Sequence, residues 1–308
     1  MNLSRRRFLG RSACAIAGAA ISTTVQASPL NQPLGFQCFE IIPYLTKDWK
    51  GTWAKMAGFG YNFVDLVTFS ATPELAKLTP KEIRGAIGDA GLGVTNCHFF
   101  YQDYTQKFDQ TMSAAHDLGL KTMVCRLAPQ TKTADDWKRM GEQLNVIGAK
   151  VQKEGYLLGY HNHEIEFLPV DGQVPYDILM ASTDPHLVKF QIDVGNLTFG
   201  GADAIAYLTK YGNRCFALHA KDFVKGKASV PVGAGTLDWD TIFALAEKAG
   251  IKSYVAEVGA YGIRALSGAP LEPSPLDVLE SFRRSYVFLH DFKDKPRAAP
   301  RNDGRSPV

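Results

Sequence analysis

Short apolar runs alternate with amphipathic stretches along most of the chain. The runs lie at Leu34–Phe39, Asn62–Val67, Val94–His98, Thr122–Arg126, Tyr156–His161, Val188–Asp193, Cys215–His219 and Tyr254–Glu257. Their length and their aromatic and β-branched content fit strands covered on both faces. Helix-period segments lie between and after them, at Lys47–Met56, Pro80–Ala90, Asp103–Leu118, Thr133–Glu154, Tyr176–Ala181, Ala202–Tyr211, Asp238–Ala249 and Leu276–Phe292. Thr79-Pro80-Lys81-Glu82 places proline at a first helical position behind a threonine cap, and Gly119, Gly155 and Gly250 stand just past helix ends. Strict strand–helix alternation calls for parallel strands joined by right-handed crossovers. Eight such units predict an α/β fold, a single-domain (β/α)8 TIM barrel over residues 28–292. An open doubly wound sheet is the rival, but no G-x-G-x-x-G follows the first strand.

The N-terminus changes the charge picture. Ser4-Arg5-Arg6-Arg7-Phe8-Leu9-Gly10 precedes an alanine-rich apolar run from Ala13 to Ile21, and Val25-Gln26-Ala27 offers a small-residue cleavage site. These features predict a signal peptide over 1–27 that resembles the twin-arginine export motif, with transient use of the twin-arginine machinery and a periplasmic destination. Its four arginines and lack of acids take the formal charge from +3 for the whole chain to −1 for the rest. Nothing electrostatic therefore suggests a nucleic-acid partner. Cys38, Cys97, Cys125 and Cys215 are widely spaced in or beside predicted strands and fit buried free thiols. The Pro- and charge-rich segment 293–308 is expected to be a disordered tail.

The chemistry gathers at strand ends. In such a barrel the C-terminal ends of the strands and the loops after them carry the active site. His98, Arg126, His161, Asp193, His219 and Glu257 end strands three to eight in that order, and His163 and Glu166 follow directly on strand five. A lone histidine or aspartate there is ordinarily a hydrogen-bonded structural residue. Asp193, His219 and Glu257 on three consecutive strands are different, because closure turns all three toward one axis. Carboxylates and an imidazole buried together without a cation are costly, and a divalent ion removes that cost. Mostly oxygen ligands with one imidazole suit Mn²⁺, Mg²⁺, Co²⁺ or Fe²⁺, with Zn²⁺ ranked below them.

FQIDVGN, ALHAKDF, VPVGAGTLDWDTIF, YVAEVG and GYHNHEIEF carry a family resemblance. Over Gly35 to about Glu257 the chain resembles the xylose-isomerase-like TIM-barrel superfamily, and within it proteins of the sugar phosphate isomerase/epimerase type. That resemblance implies a divalent metal held by Glu, Asp, His and Glu from strands five to eight. Asp193, His219 and Glu257 match the last three. Where relatives carry a glutamate at the end of strand five, this chain reads Tyr160-His161-Asn162. The fourth ligand is then Glu166, folding back from the next turn, or His161 itself; Glu166 is preferred because it keeps the site rich in oxygen.

The resemblance also implies a small carbohydrate substrate and an isomerase or epimerase that abstracts a proton next to a metal-bound carbonyl. His163, on the side of His161, is the candidate for proton transfer, and His161 is retained as a second. Lys221, two residues beyond His219, is placed to stabilise an enediolate. Phe99, Phe100, Tyr101 and Trp239 are candidate platforms for a sugar ring. β-Elimination on a 3-keto-glycoside at the same site, by a lyase or hydratase, is the alternative, and a non-catalytic periplasmic sugar-binding protein is another. Oligomerisation stays open.

Overall fold

Eight parallel strands close into a barrel in the computed structural model, which describes residues 32–69, 72–126, 131–224, 229–259 and 276–292. They are β1 (Leu34–Gln37), β2 (Phe63–Val67), β3 (Gly93–Phe100), β4 (Thr122–Arg126), β5 (Leu157–His161), β6 (Val188–Asp193), β7 (Cys215–Ala220) and β8 (Tyr254–Ala256). Each strand pairs in parallel with its sequence neighbours, and β1 closes the ring on β8. The expected leader at 1–27 and tail at 293–308 fall outside the described residues.

Helices α1 (Trp49–Gly58), α2 (Pro80–Asp89), α3 (Phe108–Leu118), α4 (Ala134–Lys153), α5 (Pro175–Ser182), α6 (Ala204–Tyr211) and α7 (Trp239–Lys248) connect successive strands, and α8 (Val278–His290) follows the last. Thr79 starts α2 through a reciprocal capping box: its hydroxyl accepts from the Glu82 N–H, and the Glu82 carboxylate accepts from the Thr79 N–H at 2.8 Å. Gly119 ends α3 with φ at 69°, a left-handed conformation that a side chain would strain. The single helix expected over Asp103–Leu118 is two, Tyr101–Gln106 and α3, because Lys107 leaves helical geometry at φ −134° and ψ 33°.

Alternation along the strands sorts side chains into two layers. Outward residues such as Phe36, Tyr160, Phe190 and Leu218 pack under the helices; Phe36, for instance, lies 5.2–6.2 Å, centroid to centroid, from Tyr61, Phe282 and Trp53. Burying a ring of this kind stabilises the fold by about 2–3 kcal/mol. Inward residues fill the barrel, and its upper half is polar: Gln37, Asp65, His98, His161, Gln191, Asp193 and His219 are all buried. The four cysteines are buried and unpaired, as expected.

Candidate metal centre and active site

One donor atom from each of His161, Asp193, His219 and Glu257 lies within 4.8 Å of every other. Donors on opposite sides of one ion, each at about 2.0–2.3 Å, stand about 4.0–4.6 Å apart, so the cluster has the dimensions of a single site. Local structure fixes each member. Asp193 caps the short helix Val194–Phe199 by accepting the Asn196 N–H on Oδ1 at 2.7 Å, which leaves Oδ2 buried and without a partner. Asn162 bonds the Asp193 backbone in both directions, at 2.9 and 3.0 Å, and ties the tops of β5 and β6 together. Gly195 is required beside it, since a Cβ there would come within 2.5 Å of the Lys221 carbonyl. Glu257 extends β8 by one residue, donating its N–H to the Ala220 carbonyl at 2.9 Å.

The electrostatics fit a cation. Burial and the neighbouring Glu257 push the Asp193 carboxyl up to about 7, against the pull of Lys221. Burial alone would also raise Glu257, but Lys221 and His219 outweigh it and hold this carboxyl well below its usual range. Its oxygens accept from Lys221 Nζ at 2.9 Å and from His219 Nδ1 at 2.6 Å. His219 also gives Nε2–H to Asp65 at 2.7 Å. Burial disfavours its charge, yet the two carboxylates raise it to about 10, so without an ion it is an imidazolium. Asp65 keeps the Nε2 proton in place, which leaves Nδ1 as the nitrogen facing Asp193 and Glu257; carboxylate orientation of a ligating histidine is a common companion of bound metal. An orphaned carboxylate oxygen, two repelling carboxylates and an oriented imidazole are what a divalent ion would satisfy.

Asp65 was not singled out from sequence. Its carboxyl is held down at about 2: burial opposes ionisation, but His98 and His219 more than compensate. It also accepts from Gln191 Nε2 at 2.8 Å, and Gln191 Oε1 lies 3.1 Å from His161 Nδ1. That second contact leaves His161 Nε2 as the nitrogen able to face an ion. The available signal was a carboxylate in the middle of an apolar strand, FVDLV.

Glu166 does not join this cluster, contrary to the expectation for the fourth position. Its Oε1 accepts from Tyr160 OH at 2.7 Å and its Oε2 from the His163 N–H at 2.9 Å. Tyr160 points outward from β5 toward Phe190 and Tyr176, so Glu166 folds under the helices while His161 faces the lumen. Burial pushes the Glu166 carboxyl up to about 7. A folded-state value above the ordinary 4.5 means that the native protein holds this proton more tightly than the unfolded chain. The resulting stability is complete below pH 4.5 and is lost as pH rises toward 7. Urea unfolding at pH 5 and pH 7.5 should show wild type losing roughly 2–3 kcal/mol relative to Glu166→Gln over that interval. Parallel pH profiles for the two proteins would refute this.

Lys221 and His163 stand beside the cluster. Asp222, next to Lys221 in the chain, is committed elsewhere. It accepts from the N–H groups of Gly233 and Gly235 and from Trp239 Nε1 at 2.8–3.1 Å, pinning the loop into α7. Trp239 is therefore buried in the core, as is Phe99, and neither offers a sugar platform; Phe100 remains half-buried at the end of β3. His163 is half-buried, its ring 5.0 Å from that of His161, and its Nδ1 has no partner. Burial, with Lys221 and Arg126, pushes it down to about 3 against Glu257, so it stays neutral at ordinary pH.

Comparison with known proteins follows the same lines. Inosose dehydratase of Clostridium perfringens is 31% identical over 140 residues, 39% of this chain and 46% of that protein, so the match spans less than half of the relative's length. A sugar phosphate isomerase/epimerase structure from Parabacteroides distasonis superposes with a TM-score of 0.71 at 23% identity, covering 90% of this chain and 98% of that one. A structure of IolI protein with a bound zinc atom superposes at 0.63 with 14% identity, covering 85% and 98%. These two structural likenesses bear on the fold. The model of the xylose isomerase-like TIM barrel matches residues 53–282, and the chain belongs to that family.

Proposed function

We propose that this chain is a divalent-metal-dependent enzyme that removes the proton next to a carbonyl of a keto-sugar or keto-polyol and expels the β-oxygen, a dehydratase or lyase. The observation that carries this reading is the convergence of His161, Asp193, His219 and Glu257 at the C-terminal mouth, with Lys221 and His163 at its rim. Those four residues would hold the ion. Two imidazoles and two carboxylates suit Zn²⁺, Fe²⁺, Co²⁺ or Mn²⁺ better than Mg²⁺, which places zinc higher than the sequence did. A bound ion supplies Lewis acidity that acidifies the carbon beside a carbonyl.

The chain's own groups then divide the proton work. His163 Nδ1, neutral and unpartnered, accepts the carbon-bound proton as a weak base, which suffices only where the adjacent carbonyl is strongly polarised. The C–O bond at the β-carbon breaks with its electron pair on oxygen, and a C=C bond forms. Lys221 Nζ donates the proton that completes the departing water or alcohol. Burial would discharge this ammonium, but Glu257 and Asp193 outweigh it and keep Lys221 protonated, so the proton is present for the oxyanion, whose basicity as it departs must exceed that of the amine.

The sequence placed an isomerase or epimerase first. Epimerisation needs a second proton carrier on the opposite face of the substrate, and strand five supplies a neutral imidazole where a carboxylate was expected. The name of the Clostridium perfringens relative supports elimination. The name of the Parabacteroides neighbour keeps epimerisation as the second reading, favoured by the presence of two carboxylates in the cluster.

Metal-loaded protein incubated in D2O with an inosose and with a 3-keto-glucoside separates the two. Appearance of an enone, with release of water or aglycone, supports elimination. Deuterium incorporation with inversion and no enone establishes the epimerase, and absence of both refutes an enzyme of this type. The proposed export of the chain to the periplasm is tested separately by cell fractionation.

A further inference from the structure

Arg126 closes β4, and its guanidinium is a largely buried charge for which no acceptor is found among the described residues. The residue is 9% exposed, Nε is buried without a hydrogen-bond partner, and no carboxylate among the described residues forms an ion pair with it. Arg214, whose Nε is likewise without a partner, differs in its terminal nitrogens, which donate to the Met180 and Thr183 carbonyls and to Thr183 Oγ1 at 3.0–3.3 Å. Arg126 instead lies against two aromatic rings, its guanidinium carbon 4.4 Å from the Phe100 centroid and 5.6 Å from that of Phe39. Such stacking fixes the plane of the fork and leaves its donors unused.

Its position ties it to the metal-centre cluster. Arg126 is in register with His161 across β4 and β5 and with Phe100 across β3 and β4. Cys125 and Tyr160, the residues before Arg126 and His161, belong to the outer core, so Arg126 and His161 share the inner face. Phe39, two residues past the end of β1, is 50% exposed.

We propose that Arg126 is the specificity-determining residue of this site and binds a carboxylate of the substrate, so that the ligand is a sugar acid or carboxylated polyol rather than a neutral sugar. This names the substrate class for the reading above and rests on it. A guanidinium with a desolvated Nε is compensated by a negative charge far better than by the dipole of a hydroxyl. Its planar fork matches a carboxylate in two parallel bonds. Of the two cations described beside the cluster it is the uncommitted one, because Lys221 is tied to Glu257 at 2.9 Å. One cation balances a monoanion, whereas a phosphate dianion calls for more.

Calorimetric titration of the metal-loaded full chain with D-glucuronate, D-glucose 6-phosphate and D-glucose tests the assignment. Glucuronate should bind at least about 10-fold more tightly than glucose. Arg126→Gln should erase that difference while the bound-ion stoichiometry is kept, and Arg126→Lys should retain only part of it. Equal binding of glucuronate and glucose to wild type, or no glucuronate binding, overturns the proposal. So does a preference that survives in Arg126→Gln, and tighter binding of the phosphate ester overturns the carboxylate assignment. Failure of the elimination assay alongside an intact anion preference would remove the proposed reaction and leave this site standing. Turnover of neutral substrates with no anion preference would do the reverse.

Discussion

Asp193→Asn and Glu257→Gln should each weaken binding of a divalent ion by more than roughly 100-fold, taking metal after dialysis from about one per chain to near zero and abolishing activity with it. Asn can still cap Val194–Phe199 through the Asn196 N–H, so the fold of the Asp193 variant should persist by circular dichroism. In the ion-free protein its effect on stability should be reversed. Above about pH 7 wild-type Asp193 is a buried carboxylate repelled by Glu257, and the neutral amide relieves that repulsion. The Asn variant should then melt higher than wild type without metal and gain little when metal is added. Glu166→Gln is the control: its carboxylate lies against Tyr160 outside the cluster, so metal stoichiometry should match wild type. Loss of the ion in that variant, or full retention in the Asp193 variant, would remove the proposed centre.

Lys221→Met should lower kcat by roughly 10²–10³ while leaving an ion bound. The ammonium is bonded to Glu257 at the rim, and removing it takes away both the proton for the departing oxygen and the positive charge facing the oxyanion. Because Glu257 remains, metal content separates this effect from collapse of the centre. Lys221→Arg restores charge with different geometry and should recover part of the rate. A rate within about threefold of wild type in the Met variant, with metal bound, would assign Lys221 to structure alone.

The barrel and much of its mouth were legible from the chain. Asp193, His219 and Glu257 could be placed because each closes an apolar run, and the period of two in a strand decides which way such a residue faces. The same rule separates His161 from Tyr160, but it ends where the strand ends. Past Asn162 the chain turns, and Glu166 returns to the outer face because Tyr160 OH and the His163 N–H wait there for a carboxylate. Its proximity to His161 in sequence therefore misled. Trp239 was misplaced for a related reason: its N–H is claimed by Asp222, seventeen residues earlier in the chain.

By itself, then, the sequence determined the strand–helix alternation, the closed parallel architecture and the three consecutive strand ends that carry Asp193, His219 and Glu257. These follow from local periodicity, which a linear pattern records. Only the tertiary structure decided that His161 completes the cluster, that Asp65 orients His219 from the far side of the barrel, 154 residues away in the chain, and that Arg126 Nε is buried without a partner among the described residues. Each is a matter of which buried polar group finds a partner once the ring closes, and hydrogen-bond satisfaction across a lumen has no period along the chain.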